Sequence, residues 1–243
     1  MTMTYRGFHY RVTLPLLALC GGLWTLVGAA VSVVVPVVAL CGVVVVFTFP
    51  WDNWAVQKRL WDFPEDRLLF RIDRLPIEEI AFFVLQTLQV AFLTMSLCAL
   101  RPLDRVADVD FSQSNLMVMG LSIAVWLTTG VLTKQWRANR RHLRYAWHLF
   151  YWFLPVIVLQ WMFGYNILIA RIPEITIATI AIGGILSIAD IWAVRKGIWF
   201  FDSSQITGVY VAGILPWEEV AFFFTTSLLV AQSILVLAPA SLR

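Results

Sequence analysis

The sequence predicts an all-α integral membrane protein: seven transmembrane helices, arranged as two parallel three-helix repeats joined by a linker helix (3+1+3). Three observations carry that prediction. Of the 243 residues, 60% are apolar and only 14% charged, with a mean hydropathy of +0.79, which excludes an ordinary soluble domain. The apolar residues fall in unbroken runs of about 20, the length a helix needs to cross a bilayer, without the alternation of barrel strands. One octet also occurs twice: Pro76-Ile77-Glu78-Glu79-Ile80-Ala81-Phe82-Phe83 returns as Pro216-Trp217-Glu218-Glu219-Val220-Ala221-Phe222-Phe223, with six positions identical.

The expected spans are 12–30, 31–50, 75–100, 115–133, 148–170, 172–194 and 212–238. The first follows Arg6 and Arg11 and is parted from the second only near Gly28-Ala29-Ala30. Its basic start and small residues imitate a secretory leader, but the apolar character continues to Phe49, which fits two linked spans better. The second span ends in Asp52-Asn53-Trp54-Ala55-Val56-Gln57-Lys58-Arg59-Leu60-Trp61. The sixth ends in Asp190-Ile191-Trp192-Ala193-Val194-Arg195-Lys196-Gly197-Ile198-Trp199, and six of the ten positions match. The third and seventh spans open on the octet. Proline suits a first helical turn because its missing donor is not needed there, and carboxylates are stabilised by the helix dipole.

Each unit thus contains three helices, an odd number, so direct fusion would invert the second copy. The extra span at 115–133 restores its orientation. The expected divisions are 1–101 for the first repeat, 102–144 for the linker and its helix, and 145–243 for the second repeat. With the N-terminus inside, 14 of the 18 Lys and Arg residues lie on the cytoplasmic side, leaving Arg101, Arg105, Arg171 and Arg243 opposite. A multi-pass protein of the cell membrane follows, with a cytoplasmic N-terminus and an extracytoplasmic C-terminus. The net charge of +3 reflects this bias and implies no nucleic-acid partner.

Absences narrow the function. Neither G-x-G-x-x-G nor G-x-x-x-x-G-K-[ST] is present, which argues against a dinucleotide or nucleoside triphosphate fold. The last span contains no lysine for a retinal Schiff base. Cys20, Cys41 and Cys98 lie within spans without CxxC spacing and are expected to pack as small apolar residues. His9, His142 and His148 are scattered, form no metal-ligand cluster, and are expected to be solvated or interfacial. No metal site is expected.

Two adjacent glutamates are costly in lipid, and finding them twice points toward chemistry. At helical spacing Glu78 shares a face with Phe82, Glu79 with Phe83, Glu218 with Phe222, and Glu219 with Phe223. A carboxyl group partly withdrawn from water can keep a proton near neutrality, and an aromatic face stabilises a cation. Acid beside aromatics is what carbocation chemistry on a greasy polyene requires. The plain alternative is a capped helix whose phenylalanines face lipid or core. Asp52 and Asp190 can orient a glutamate, act as base or face headgroups. Trp54 and Trp192 are candidates to line a substrate site, Trp61 and Trp199 to form an interfacial belt, and Lys58 and Lys196 to meet lipid phosphates.

The paired Asp–Trp and Pro-x-Glu-Glu-x-x-Phe-Phe motifs resemble the carotenoid lycopene cyclases of the heterodimeric or fused-subunit type, over nearly the whole chain. That family occurs as two three-helix subunits, as one fused chain, and as the cyclase part of fungal bifunctional enzymes. The resemblance implies conversion of the ψ-ends of lycopene to β-ionone rings without net redox change. It carries the acid/base role to Glu78, Glu79, Glu218 and Glu219, with Asp52 and Asp190 second, and suggests no bound cofactor. Lycopene or a related acyclic carotenoid would enter from the bilayer, with membrane lipid and other enzymes of the pathway as further partners. The loops before the glutamates differ: Gly208-Val209-Tyr210 and Gly213 in one copy, Leu68-Leu69-Phe70-Arg71 in the other. The two copies are therefore expected to be unequal. The rival classes are a small-solute transporter, which also uses 3+1+3 repeats, and a non-catalytic pathway subunit. A transporter would place polar side chains in mid-membrane, whereas these helix centres read as apolar.

Overall fold

The computed structural model describes residues 3–29, 31–103 and 108–242. Ala30, Arg105 and Arg243, used above for the first helix break and for orientation, lie outside the described residues. The chain opens with α1 (Tyr5–Phe8), a π-helical turn (His9–Thr13) and α2 (Leu14–Leu26), which run on without a break. Thr4 caps this stretch by accepting the Gly7 N–H at 3.1 Å. It stops where Gly28 takes a φ of +65°, a left-handed conformation that only glycine enters freely. Then follow α3 (Val34–Gln57), α4 (Ile77–Leu100), α5 (Gln113–Leu132), α6 (Lys134–Asn139), α7 (Arg144–Ala170), α8 (Ile172–Arg195) and α9 (Trp217–Leu237).

Among the described residues six helices are long and apolar enough to cross a membrane, beginning with α3 and including α4, α5, α7, α8 and α9. The fold is that of an all-α membrane protein. The expected first span is the exception, because the π-helical turn leaves α2 only 13 residues long. Helix ends also differ from expectation. α3 runs to Gln57 and α8 to Arg195, so Asp52 and Asp190 sit inside helices rather than ending them. Both are buried there, at 1% and 0% exposure, which removes the headgroup-facing option.

The connecting loops are not wholly irregular. β1 (Trp61–Asp62) pairs antiparallel with β4 (Phe200–Phe201), placing Trp61 opposite Phe201. β2 (Arg71–Ile72) pairs with β3 (Leu75–Pro76), and β5 (Tyr210–Val211) with β6 (Leu215–Pro216). Strands of two residues carry no readable alternation, so the sequence did not announce them. The dissimilar loop sequences nonetheless form equivalent hairpins ahead of α4 and α9.

α4 and α9 form the centre. The Gln86 side-chain amide donates to Thr226 Oγ1 at 2.9 Å, and Phe82 meets Phe223 edge-on with ring centroids 6.0 Å apart. α4 also packs on α2, α3 and α8, and α9 on α3, α7 and α8. α8 lies close against the α9 backbone at Gly183, where an added Cβ would lie 3.2 Å from the Cα of Phe224. α5 stands outside this bundle against α7 and contains no buried residue.

The helix centres are less apolar than expected. Buried Gln89 donates to the Thr13 carbonyl at 2.7 Å, and Gln160 to Ser233 Oγ at 2.7 Å and the Leu229 carbonyl at 2.8 Å. These amides join one helix to another, satisfying groups that lipid would leave unpaired. At the end of the bundle where α4 stops and α7 turns into α8, Arg101 forks onto Glu174 through bonds of 2.6 and 2.7 Å. Buried Arg171 adds a third bond at 2.9 Å.

Candidate active site

At the other end of α4, the first helical turn separates the two glutamates of its pair. Glu78 is buried, and its Oε1 accepts the Leu69 N–H at 2.9 Å, tying the loop to the helix start. Glu218 does the same with the Thr207 N–H at 2.7 Å. Adjacent residues on a helix point about 100° apart, so Glu79 and Glu219 turn the other way, toward the bundle axis. Both are half-buried and line one cavity of about 40 Å³. That volume holds a few water molecules at most.

A phenol grips each of these glutamates. Tyr5 Oη donates to Glu79 Oε2 at 2.5 Å, and Tyr145 Oη donates to Glu219 Oε2. Tyr5 and Tyr145 are among the most deeply buried side chains. The two pairs have the same sequence separation of 74, so the duplication governs this contact too. That spacing was the signal available in the sequence: a tyrosine 74 residues before the second glutamate of each octet. It is a faint signal, because the surrounding residues, Tyr5-Arg6-Gly7-Phe8 and Tyr145-Ala146-Trp147-His148, share nothing else.

Asp52 lines the same cavity. Asp190 does not; it accepts the Trp199 indole N–H at 2.6 Å from behind, and Trp199 forms the wall. Trp61 stands beside Asp52 in the equivalent place, yet neither Asp52 carboxyl oxygen has a hydrogen-bond partner among the described residues. The four carboxyl groups of Asp52, Asp190, Glu79 and Glu219 are close enough to interact electrostatically. Among the described residues no Lys, Arg or His lines the cavity.

The remaining walls are aromatic. Phe82, Phe222 and Phe223 line it, while Phe83 is buried outside it. Trp51, Trp61, Trp199, Tyr5, Phe8, Phe63 and Phe201 complete the enclosure, with Leu186. Trp51 stacks on Phe222 with an interplanar angle of 1°. Trp61 and Trp199 are thus buried wall residues rather than members of an interfacial belt, because β1 and β4 fold their loops back over the cavity. Trp54 and Trp192 are not part of the wall. Trp54 lies against His148 with ring centroids 4.0 Å apart, and Trp192 stacks at 6.4 Å on Phe8. His148 is buried between Trp54 and Trp51, and His9 is buried on Thr13 and the Glu78 carbonyl, so neither is solvated or interfacial.

No protein-family model matches the chain, and no solved structure matches it. Curated proteins do. A lycopene beta-cyclase of Halobacterium salinarum is 31% identical over 196 residues, 79% of this chain and 77% of that relative. A bifunctional lycopene cyclase/phytoene synthase of Sporisorium reilianum is 28% identical over 96% of this chain, which spans 34% of that longer protein. Another of Arthroderma gypseum is 25% identical over 82% of the chain and 35% of its own length. With 31% identity extending over most of both chains, the chain belongs to the lycopene cyclase family.

Proposed function

We propose that the chain is a lycopene beta-cyclase, closing the acyclic ψ-ends of lycopene into β-ionone rings to yield γ-carotene and β-carotene. The observation that carries this reading is the meeting of Glu79 and Glu219, one from each octet, in a single aromatic cavity without a cationic wall residue. Cyclisation needs a proton at the start and returns one at the end. A carboxylic acid, Glu79 or Glu219, protonates the terminal double bond and leaves a tertiary cation. The neighbouring double bond attacks that centre, forming the ring bond and moving the charge into the ring. A carboxylate then removes a ring proton, and the double bond forms without oxidation or reduction. This chemistry calls on no cofactor.

Asp52, on the wall, is the candidate base, together with whichever glutamate has just released its proton. Asp190 acts through Trp199 as a positioning residue. Glu78 and Glu218 serve by fixing the loops that roof the cavity. The faces of Trp51, Phe82, Phe222 and Phe223 stabilise the travelling charge. The narrow aromatic lining limits water, which would otherwise capture the cation as an alcohol. An end group is larger than the resting cavity, so entry requires the aromatic walls to part. A hydrocarbon polyene reaches them from within the bilayer. The 3+1+3 arrangement, with a cytoplasmic N-terminus, divisions near 101 and 144, and motifs of both repeats on the cytoplasmic side, is the topology this reading adopts.

The test is colour. Expressed alone in a host that accumulates lycopene, the chain turns red cells yellow or orange, and chromatography resolves monocyclic and bicyclic products. Unchanged lycopene despite membrane-inserted protein would overturn the assignment.

A further inference from the structure

Beside α7, on the side away from the acidic cavity, two hollows meet at Trp147. One, of about 540 Å³, is walled by Lys58, Lys134, Arg137, Arg140 and Arg144 with tryptophans between them. The other, of about 560 Å³, runs up between α5 and α7 past Val125 and Leu154 and is almost wholly apolar. Trp147 lines both. None of the five cations forms an ion pair with a carboxylate among the described residues, and no acidic side chain lines the basic hollow.

We infer that these two hollows are one binding site for an anionic phospholipid, its phosphate among the cations and an acyl chain in the groove. Among these cations Arg144 feels an acidic group, Asp202, which lies outside the hollow; the gathered like charges repel one another, and an anion relieves that repulsion. The guanidinium groups are already pre-oriented. Arg137 lies over the Trp147 ring at 4.0 Å and donates to the Gly130 carbonyl at 2.6 Å, while Arg140 lies over Trp136 at 5.3 Å. Arg144 is braced by the Gln205 side-chain oxygen at 2.5 Å. The basic end alone would suit any phosphate. The continuous apolar groove is what specifies a lipid, because a free phosphate has nothing to place there. The site has no counterpart beside the other repeat, since α5 and α6 exist only once. It does not depend on the cyclase assignment.

Native mass spectrometry of the purified full chain, loaded from vesicles of phosphatidylglycerol and phosphatidylcholine, tests it. One phosphatidylglycerol per chain should be retained, at least about tenfold in preference to phosphatidylcholine, since each cation near an anionic headgroup contributes about fivefold. Arg137→Gln with Arg140→Gln should weaken phosphatidylglycerol retention by roughly 30-fold on the same scale. Val125→Trp, on the exposed face of α5, should fill the groove and expel the lipid while leaving the cations in place. If the arginine variant fails to fold, the groove variant decides alone. Equal retention of both lipids by the wild type would overturn the proposal. So would loss of phosphatidylglycerol to competing inorganic phosphate with Val125→Trp silent, which would mark a free-phosphate site.

Discussion

Glu78 and Glu79 are neighbours in sequence with opposite surroundings, and so are Glu218 and Glu219. The first of each pair spends an oxygen on a loop amide, and the second faces the cavity under a tyrosine hydroxyl. Glutamine keeps the acceptor oxygen but supplies no acidic proton. Glu79→Gln and Glu219→Gln should therefore each lower ring formation by about 10²–10⁴-fold, while Glu78→Gln and Glu218→Gln should stay within a few-fold. Pigment ratios in lycopene-accumulating cells measure this directly, and full activity in both cavity variants would remove acid catalysis by these residues. Tyr5→Phe deletes one hydrogen bond to a carboxyl and should slow cyclisation about tenfold or more. Its pH–rate profile should also shift, which a packing defect alone would not produce.

Within and between elements, close packing and buried charge set the tolerances. Gly183 lets α8 lie directly on α9, so Gly183→Val should cost about 1–3 kcal/mol of stability through overpacking against Phe224. Glu174 is buried between Arg101 and Arg171, and Glu174→Gln leaves an uncompensated buried cation. A loss of about 3–5 kcal/mol is expected, read as a lowered unfolding temperature in detergent. The loop before α9 gives a pH signature. Partial burial pushes Asp202 up, but hydrogen bonds from Ser204 and Gln205 and the Arg141 charge outweigh it and hold the carboxyl at about 2. A depressed folded value means the contribution is complete above the unfolded value near 4 and is lost as pH falls toward 2. Amide-exchange protection of residues 202–205 should follow that window, and Asp202→Asn should abolish it.

At the scale of the molecule, the cavity draws on both copies of the octet. Tyr5, Asp52 and Glu79 come from one side, Tyr145, Trp199 and Glu219 from the other, and β1 pairs with β4 across them. A chain split between α5 and α6 should be colourless as either half alone and should recover ring formation when the halves are co-expressed. Activity in an isolated half would show that one glutamate suffices.

The membrane class, the duplication and the acidic octets were legible in the sequence, because hydropathy over 20-residue windows and a repeated motif are properties of linear order. Which glutamate of each pair faces the cavity was not, since neighbouring residues point about 100° apart and only the bundle says where its axis lies. The wall positions of Trp61 and Trp199 were hidden too, because belt-like spacing says nothing of loops folding back over a cavity. Tyr5 and Tyr145 lay between these limits: their matched separation from Glu79 and Glu219 was written in the chain. Only the tertiary fold, which brings first helices against third helices, gave that spacing a meaning. The sequence alone determined that there are two acidic motifs in a membrane protein; packing of α4 against α9 decided that they line one cavity.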